Sequence, residues 1–388
     1  MSFMAQSSDS PNRVVEVGGP NAFGSDDIPE YDSPSRILVV LPNWVGDLVL
    51  ATPALRALRN QFPDTHIAFL GKSGLSDVLS GGDWMDEVIH WPGGKSRPKR
   101  RQGFLGLAAE LRERRFDWAV LLINSFRSAL LARLAGIRRR VGYDRDGRGL
   151  LLTDRLLPEK AKGKYVPVPM TRYYNAIARY LGCRDCLTKL ELFTTDEDES
   201  VAAATIANAG IEAGQPMVVL NPGASFGPAK CWLPERFAEV GDRLVEEHGA
   251  AIVVSCGPKE VDIARGVAGR MRHKATVLDD PILKLAPLKA LTRQASLLVT
   301  NDTGPRHFAN AFGTPVVTVF GPTDPQWTAT DSPNERSLMV RVDCGPCMKR
   351  ACTLDHRCMK RINSDMVVKL ATELLAERVN ESIRSNAT

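Results

Sequence analysis

The chain has 388 residues, and this length predicts two domains rather than one ordinary core. Its hydrophobic fraction of 44% and charged fraction of 24% are those of a soluble globular protein. No run of about 18 apolar residues occurs, so the sequence predicts no transmembrane helix. The net charge of +5 favours anionic partners such as nucleotides, phosphorylated lipids or nucleic acid.

The N-terminal residues 1–35 are rich in Ser, Asp, Gly and Pro, and they lack a basic start followed by an apolar core. They therefore predict a disordered tail rather than a signal peptide. The eight cysteines of this long chain then indicate a cytoplasmic protein rather than a disulfide scaffold.

From Arg36 onward, short apolar runs alternate with longer amphipathic runs, which predicts buried parallel strands separated by helices. This first series predicts a Rossmann-like domain over residues 36–190. Its predicted strands are 36–41, 66–71 and 118–123, and its predicted helices are 47–62 and 104–116.

A second series of the same kind predicts a second Rossmann-like domain over residues 210–340, facing the first, so the predicted fold class is α/β. The polar stretch 183–215, with its acidic run TTDEDES, lies near the predicted domain junction. A Cys-rich segment at 341–362 and a C-terminal helix within 363–388 follow the second domain. The predicted strands of this domain are 217–221, 250–255, 297–300 and 315–320, and its predicted helices are 234–249 and 259–271.

Two Gly-Lys-Ser triplets, at 71–73 and 94–96, suggest a P-loop. A P-loop also needs a glycine five residues before the second glycine, and His66 and Ile89 occupy those positions. No G-x-G-x-x-G follows a strand either. The sequence therefore excludes both of these nucleotide-binding motifs.

Three other strand-to-helix turns are candidate anion sites, because ligands of open α/β sheets bind at the carboxyl ends of strands. In PNWVGD (42–47), Asp47 either caps the helix or takes part in chemistry. NPGASFGPAK (221–230) ends in Lys230, which is either a solvated charge or a phosphate ligand. In the third turn, Asp302 and Thr303 either cap the helix or precede unpaired amides that bind an anion.

The residues of these turns resemble glycosyltransferase family 9, the ADP-heptose:lipopolysaccharide heptosyltransferases, and within it the heptosyltransferase II branch. The similarity spreads over most of residues 36–325, with its blocks in the order of the family. One departure is DTGPRH, in which Pro305 and Arg306 replace the usual Leu-x, and the N-terminal tail has no counterpart. The matching blocks are WVGDLVLATPALRAL, NSFRSALLARLAGIRRRVGY, NPGASFGPAKCWLPERF, NDTGPRHFANAFGTPVV and FGPTDP.

The resemblance implies a GT-B fold, in which two Rossmann-like domains with parallel sheets face a central cleft. The first domain would bind the acceptor and the second the sugar-nucleotide donor, with the last helix packing back on the first domain. The implied reaction transfers a heptose from ADP-heptose to the inner core of lipopolysaccharide, with inversion at the anomeric carbon and no catalytic cofactor.

The resemblance also assigns roles at the three turns. Asp47 matches the catalytic carboxylate of the family, and we expect a general base whose pKa is lowered by the positive end of its helix. Lys230 and the amides at Thr303–Gly304 would stabilise the charge on departing ADP in place of a metal. The two Asp-x-Asp pairs, 144–146 and 196–198, are read as solvated loops rather than metal ligands.

The remaining predicted contacts concern the two substrates. Ser225 would donate a hydroxyl to the phosphates, Asp302 would accept from heptose hydroxyls, His307 would reach a phosphate oxygen and Glu260 would bind the ribose. The predicted donor-binding residues are Gly223, Ser225, Lys230, Glu260, Asp302, Thr303, Gly304 and His307, and the predicted acceptor-binding residues are Gly46, Asn124, Ser125 and Arg127.

The runs KSRPKRRQ (95–102) and IRRRVGYDRDGR (137–148) place many cations in the first domain. They form either a solvated face or a surface for an anionic, lipid-linked oligosaccharide, with peripheral contact to the inner membrane. Nucleic acid is not expected as a partner, because basic and aromatic residues are not interleaved as in a recognition module.

The Cys-rich segment contains Cys344, Cys347, Cys352 and Cys358, away from the inferred chemistry. Four thiols within fifteen residues predict a structural zinc or iron site, with a disulfide pair or plain thiols as alternatives. The spacing is not the paired C-x2-C of zinc ribbons.

Three functional hypotheses follow. The first is the inverting heptosyltransferase, including a family 9 enzyme with another sugar nucleotide or acceptor. The second is a GT-B-type sugar-nucleotide epimerase or hydrolase, and the third is a binding protein without catalysis. The basic acceptor-side segments and the Asp47 motif favour the first hypothesis.

Overall fold

A computed structural model describes residues 13–16, 33–92 and 103–386 of the chain. The chain divides into two compact units, each built on a parallel sheet. Two short segments that precede residue 83 join the second unit instead of the first. The first unit comprises Met1–Asn43, Pro53–Ser73 and Asp83–Leu187, and the second comprises Trp44–Thr52, Gly74–Gly82 and Thr188–Thr388.

The first unit is a parallel sheet with helices packed on it, and the strands at its centre are apolar because both faces are covered. In chain order its strands are β1 (Arg13–Glu16), β2 (Arg36–Val40), β3 (His66–Gly71), β4 (Glu87–His90), β5 (Trp118–Leu121), β6 (Arg139–Tyr143) and β7 (Asp154–Leu157), arranged β1-β7-β6-β5-β2-β3-β4. The hairpin β8 (Lys160–Ala161) and β9 (Lys164–Tyr165) follows. The helices between β2 and the end of this part of the chain are α1 (Val45–Leu50), α2 (Thr52–Gln61), α3 (Phe104–Glu113), α4 (Phe126–Leu134) and α5 (Met170–Tyr180). Of these, α1 belongs to the second unit.

The second unit repeats this architecture, and all of its paired strands are parallel. Its strands are β10 (Met217–Asn221), β11 (Ala251–Val254), β12 (Ala275–Val277), β13 (Leu297–Asn301), β14 (Val316–Phe320) and β15 (Glu335–Met339), in the order β12-β11-β10-β13-β14-β15. Its helices are α6 (Asp196–Asn208), α7 (Pro234–His248), α8 (Val261–Ala268), α9 (Leu285–Gln294), α10 (Gly304–Phe312), α11 (Arg357–Lys360) and α12 (Ser364–Asn386). The predicted α/β class with two parallel sheets is confirmed.

The predicted helix 47–62 is two helices, α1 and α2, with a break at Ala51. Pro53 has no N–H group and cannot continue the hydrogen bonding of α1, so it lies in the first turn of a new helix. Thr52 supports the break, because its hydroxyl donates to the carbonyl oxygen of Val49 at 2.8 Å.

The predicted disorder of residues 1–35 is wrong at Arg13–Glu16, which form β1 parallel to β7. Two adjacent β-branched valines favour a strand, and β7 would otherwise present an unpaired edge. Residues 1–12 and 17–32 of the predicted tail lie outside the described residues.

The C-terminal helix needs a correction, because the described side chains of α12 pack on the second unit rather than on the first. The apolar positions Val367, Ala371 and Leu374 form one stripe that joins the core around β13, β14 and α7. Two polar contacts to α7 reinforce the packing, from Ser364 to Glu239 at 2.7 Å and from Arg243 to Asp365 at 2.6 Å.

The acidic run TTDEDES is not a solvated loop, because it begins α6 with a capping box between Thr195 and Asp198. Asp198 is buried and accepts from the hydroxyl of Ser80 at 3.3 Å. Lys289, which is completely buried, lies 3.6 Å from the same carboxylate and donates to the carbonyl oxygens of Val78 and Ser80 at 3.1 and 2.8 Å. A buried cation thus holds the segment Gly74–Gly82 in the second unit.

Within the described ranges, none of the helices has the length and apolar character needed to span a membrane.

Replacing Lys289 with Met should lower the free energy of unfolding by about 3 kcal/mol, because two carbonyl oxygens and the Asp198 carboxylate lose their buried cation. Urea denaturation measures the loss. The exposed Lys284, at the start of the same helix, provides the control, and its replacement by Met should change stability by less than about 0.5 kcal/mol. Equal losses in the two variants would show that Lys289 has no special structural role.

Candidate active site

The candidate site lies at the carboxyl ends of β10 and β13, which are neighbours in the second sheet. Asn221 ends β10 and donates to the hydroxyls of Thr300 and Thr303 at 2.9 and 3.0 Å. In return, Asn301 at the end of β13 donates to the carbonyl oxygen of Pro222 at 2.7 Å. These reciprocal amide contacts fix the loop that leads to Lys230 against the start of α10.

Lys230 is the cation of this site, and its position is set by Asp302. The ammonium donates to the backbone carbonyl oxygen of Asp302 at 2.9 Å and to its Oδ2 at 2.5 Å. Both side chains are largely buried, with 13% of Lys230 and 6% of Asp302 exposed. Two of the three N–H groups of the ammonium are therefore used by the protein, and one is left for an anionic ligand.

Asp302 is saturated with protein donors. Its Oδ2 accepts from Lys230 and from Thr323 at 2.8 Å, and its Oδ1 accepts from Arg306 and Thr328 at 3.3 and 3.4 Å. Burial raises its pKa, but the charges of Lys230 and Arg306 outweigh burial and lower the pKa to about 2. Four protein donors thus surround its two oxygens and tie it to Lys230, while the contact with heptose hydroxyls stays a prediction.

Arg306 is the buried partner behind Asp302, and its exposed fraction is only 2%. Its guanidinium binds both oxygens of Glu335, at 2.5 and 3.1 Å, and also Thr328. Burial raises the pKa of Glu335, but the charge of Arg306 outweighs it and lowers the pKa to about 2. Pro305 beside it costs nothing, because proline is well suited to the first turn of a helix. Arg306 therefore forms an internal ion-pair network, and Pro305 is compatible with the helix that carries it.

Asp47 lies in the first turn of α1, and the capping position belongs to Trp44, which makes no side-chain capping bond. The capping interpretation of Asp47 is therefore wrong. The expected low pKa is wrong too, because removal of the carboxylate from water raises the pKa of Asp47 to about 6, against the attraction of Lys230 and with a contribution from Asp302. A carboxylate with this pKa is a stronger base than an ordinary aspartate.

The start of α1 packs directly on the start of α10. A Cβ atom added to Gly46 would lie 2.9 Å from the ring of His307, and one added to Gly304 would lie 2.5 Å from the side chain of Val45. Two glycines therefore allow both helices to approach at backbone distance. This contact explains why the segment that carries Asp47 belongs to the unit of Lys230 and Asp302.

His307 lies in a packed environment, and its contact with a phosphate stays a prediction. It is buried to 2% exposure beside Gly46, and burial, together with the charge of Arg306, lowers its pKa to about 3. The ring is therefore neutral, and among the described residues its Nδ1 has no hydrogen-bond partner. We interpret His307 as a packing residue that positions α1.

Gly223, Ser225 and Glu260 are also brought together, as predicted for the donor side. A Cβ atom on Gly223 would lie 2.3 Å from the Glu260 carboxylate, so a larger residue there would have to displace that side chain. The hydroxyl of Ser225 lies 3.5 Å from Oε1 of Glu260, whose Oε2 accepts from the backbone of Gly257 at 2.8 Å. Contacts of these residues with a nucleotide stay a prediction.

The start of α10 retains donors for an anion. Thr303 occupies the capping position but makes no side-chain capping bond, because its hydroxyl bonds with Asn221 and Thr300 instead. The first amides of α10, beginning at Gly304, are therefore not capped by that side chain. Helix amides of this kind bind anions.

The first unit contains the other predicted acceptor residues. Asn124 donates to the hydroxyl of Tyr173 at 3.0 Å and accepts from Arg148 at 3.0 Å. Ser125 caps α4, since its hydroxyl accepts from the amide of Ser128 at 3.4 Å. Arg127 is exposed, and its guanidinium lies 5.0 Å from the ring centre of Phe104. Contacts with an acceptor stay a prediction for all three.

The sequence did not point to Arg148 and Glu335, which hold site residues in place. Arg148 is fully buried although it lies in a basic run that was interpreted as a surface, and Glu335 begins β15. The partner of each charge comes from a distant part of the chain, so spacing alone could not identify it.

The Cys-rich segment does not form the predicted metal site in this structure. Cys344, Cys347, Cys352 and Cys358 are free thiols, and no group of three or more His, Cys, Asp or Glu side chains within the described ranges is arranged to hold a metal. The expectation that the segment lies away from the chemistry is also wrong. Its Arg350 carbonyl accepts from the amide of Ala229 at 3.0 Å, and the ring of His356 lies 2.9 Å from the carbonyl oxygen of Ala229, next to Lys230.

Comparison with known proteins gives a consistent picture. The family described as glycosyltransferase family 9 (heptosyltransferase) matches residues 104–357. Lipopolysaccharide heptosyltransferase 2 of Escherichia coli K12 is 30% identical over 327 residues, which are 79% of this chain and 88% of that protein. The structure of E. coli ADP-heptose LPS heptosyltransferase II superposes with a TM-score of 0.72 at 26% identity, covering 88% of this chain and 99% of that one. A family 9 glycosyltransferase from Veillonella parvula DSM 2008, at 24% identity, has a TM-score of 0.77 over 90% of this chain and 99% of its own.

Replacing Arg306 with Met should lower the free energy of unfolding by about 3–5 kcal/mol, because Glu335 would remain buried without its cation and Asp302 would keep only Lys230. Urea denaturation measures this loss. The double variant with Glu335→Gln should be less destabilised than the sum of the two single variants, since the two changes remove one shared interaction. If the losses of unfolding free energy in the two single variants simply add up in the double variant, Arg306 and Glu335 do not interact as described.

Proposed function

Because the chain belongs to glycosyltransferase family 9, we propose that it transfers a heptose from ADP-heptose to the inner core of lipopolysaccharide, with inversion at the anomeric carbon. The relatives named above supply the reaction class. The observation that carries the proposal is the Lys230–Asp302 pair beside Asp47, at the carboxyl ends of β10 and β13. In this proposal Asp47 is the base and Lys230 the cation for the leaving group, and both residues belong to one compact unit.

The base of the proposed reaction is Asp47. The acceptor hydroxyl oxygen forms a bond to the anomeric carbon while the bond from that carbon to the phosphate oxygen of ADP breaks, and its electron pair leaves with ADP. Asp47 takes the hydroxyl proton. Its raised pKa helps, because a base with a pKa near the working pH accepts the proton more readily than a strongly acidic carboxylate.

The leaving diphosphate gains negative charge as the bond breaks, and we assign its stabilisation to Lys230 and the amides at the start of α10. The free N–H of Lys230 and the amides at Thr303 and Gly304 are donors fixed before the reaction begins, while Pro305 has no N–H to add. Such preorganised donors stabilise developing charge without reorganisation. The proposed transfer therefore needs no divalent metal.

The acceptor assigned to the first unit is an anionic, lipid-linked oligosaccharide, with Asn124, Ser125 and Arg127 as contacts. Peripheral contact with the inner face of the inner membrane, from the cytoplasm, is part of this proposal. Three exposed apolar side chains support it: Leu105, Phe126 and Leu150 are 71%, 50% and 89% exposed on α3, α4 and the turn 149–151, which pack on one another. Exposed apolar residues next to Arg127 suit the boundary of an anionic bilayer.

Calorimetry with the purified protein tests the donor. ADP-heptose and ADP should bind, UDP should bind at least about tenfold more weakly, and the affinities should persist in EDTA. A preference for UDP would exclude the assigned donor, and loss of transfer in EDTA with recovery in magnesium would exclude the metal-free scheme.

The variant Asp47→Asn should lower kcat by about 10²–10⁴, because the general base is lost, while the Kd for ADP changes less than about threefold. The wild-type kcat/KM should fall about tenfold per pH unit below a pKa of about 6, since only the carboxylate form accepts the proton. Steady-state kinetics from pH 5 to 8 measure both. A wild-type kcat/KM that stays constant down to pH 5, or transfer at the normal rate by the variant, would remove Asp47 from this role.

A further inference from the structure

The backbone of Arg350 is fixed against the loop that ends in Lys230. The carbonyl oxygen of Arg350 accepts from the amide of Ala229 at 3.0 Å. A Cβ atom added to Gly227 would lie 2.4 Å from the same carbonyl oxygen, so only glycine allows this approach. Arg350 is therefore not on a free end of the Cys-rich segment but is held beside the candidate site.

The side chain of Arg350 extends across two aromatic rings of that site. Its guanidinium carbon lies 5.4 Å from the ring centre of Phe226 and 5.9 Å from that of Trp44, the residue at the start of α1. The ring of Phe226 also lies 5.0 Å from the ammonium of Lys230. The ring of Phe226 thus lies near both Lys230 and Arg350, and the faces of aromatic rings attract cations.

The charge of Arg350 is not neutralised by the protein. The two acidic residues nearest to it in the Cys-rich segment, Asp343 and Asp355, both pair with Arg357, at 3.0 and 2.9 Å. Across the described ranges no carboxylate forms an ion pair with Arg350, whose side chain is exposed. Two cations on one ring repel each other, and a ligand with more than one negative charge would remove that repulsion.

We propose that Arg350 is a donor-binding residue, which binds the diphosphate of the sugar nucleotide together with Lys230. The inference rests on the proposed function and adds a residue to the donor side of that site. A planar guanidinium donates two parallel N–H bonds to phosphate oxygens, whereas Lys230 supplies one remaining N–H. Phe226 and Trp44 flank the guanidinium at 5.4 and 5.9 Å.

Calorimetry with ADP tests the proposal on the full chain. Arg350→Gln should raise the Kd for ADP about tenfold, and Arg350→Lys, which keeps the charge but not the paired donors, about threefold. Lys349→Gln is the matched control, since it removes a neighbouring exposed cation, and it should leave the Kd unchanged. Adenosine, which has no phosphate, should bind all four proteins equally. In kinetics, KM for ADP-heptose should rise in Arg350→Gln while KM for the acceptor stays constant.

The outcomes separate this proposal from the proposed function. If the wild-type protein binds ADP but Arg350→Gln binds it within twofold of wild type, Arg350 is not a donor-binding residue and the function stands. If the wild-type protein does not bind ADP, both the assignment of Arg350 and the proposed function fail. If Lys349→Gln loses as much affinity as Arg350→Gln, the effect is general electrostatics and the specific contact is excluded. Equal thermal midpoints of the variants exclude misfolding as a cause.

Discussion

The ion pair between Lys230 and Asp302 is the interaction on which the candidate site depends. Burying a carboxylate and an ammonium costs free energy, and the pair is stable only because further donors complete the shell of Asp302. Arg306 is the most important of them, because it carries a second positive charge into the interior and is itself neutralised by Glu335. Negative and positive side chains therefore alternate from the core to the site, in the order Glu335, Arg306, Asp302 and Lys230. The last of them, Lys230, keeps one N–H group for a ligand.

Helix packing has an equally direct effect on the base. Gly46 and Gly304 let α1 approach α10. Asp47 lies in the first turn of α1, and burial of its carboxylate raises the pKa to about 6. The same contact buries His307 and keeps its ring neutral. Packing, rather than the helix dipole that the sequence suggested, therefore controls the protonation of Asp47.

Most of the fold could be predicted from the sequence, because apolar runs such as 36–41 and 217–221 are diagnostic of buried parallel strands. The positions of Asp47, Lys230 and Thr303 at strand-to-helix turns could be predicted for the same reason. Three features could not. The buried partners of Arg306 and Lys289 are distant in the chain, the pKa of Asp47 depends on a helix contact between residues far apart, and the packing of α12 on the second sheet reverses an expectation taken from relatives.

The assignment of the segment Trp44–Thr52 to the second unit has a consequence for side reactions. The proposed proton acceptor and the groups proposed to bind the departing phosphate belong to one folded unit, so their assembly does not depend on a sugar acceptor bound to the other unit. Water is small enough to replace a hydroxyl group of the oligosaccharide, so nothing in this arrangement by itself distinguishes productive transfer from slow hydrolysis of the nucleotide sugar. Protection of the donor must therefore come from exclusion of water when the substrates bind.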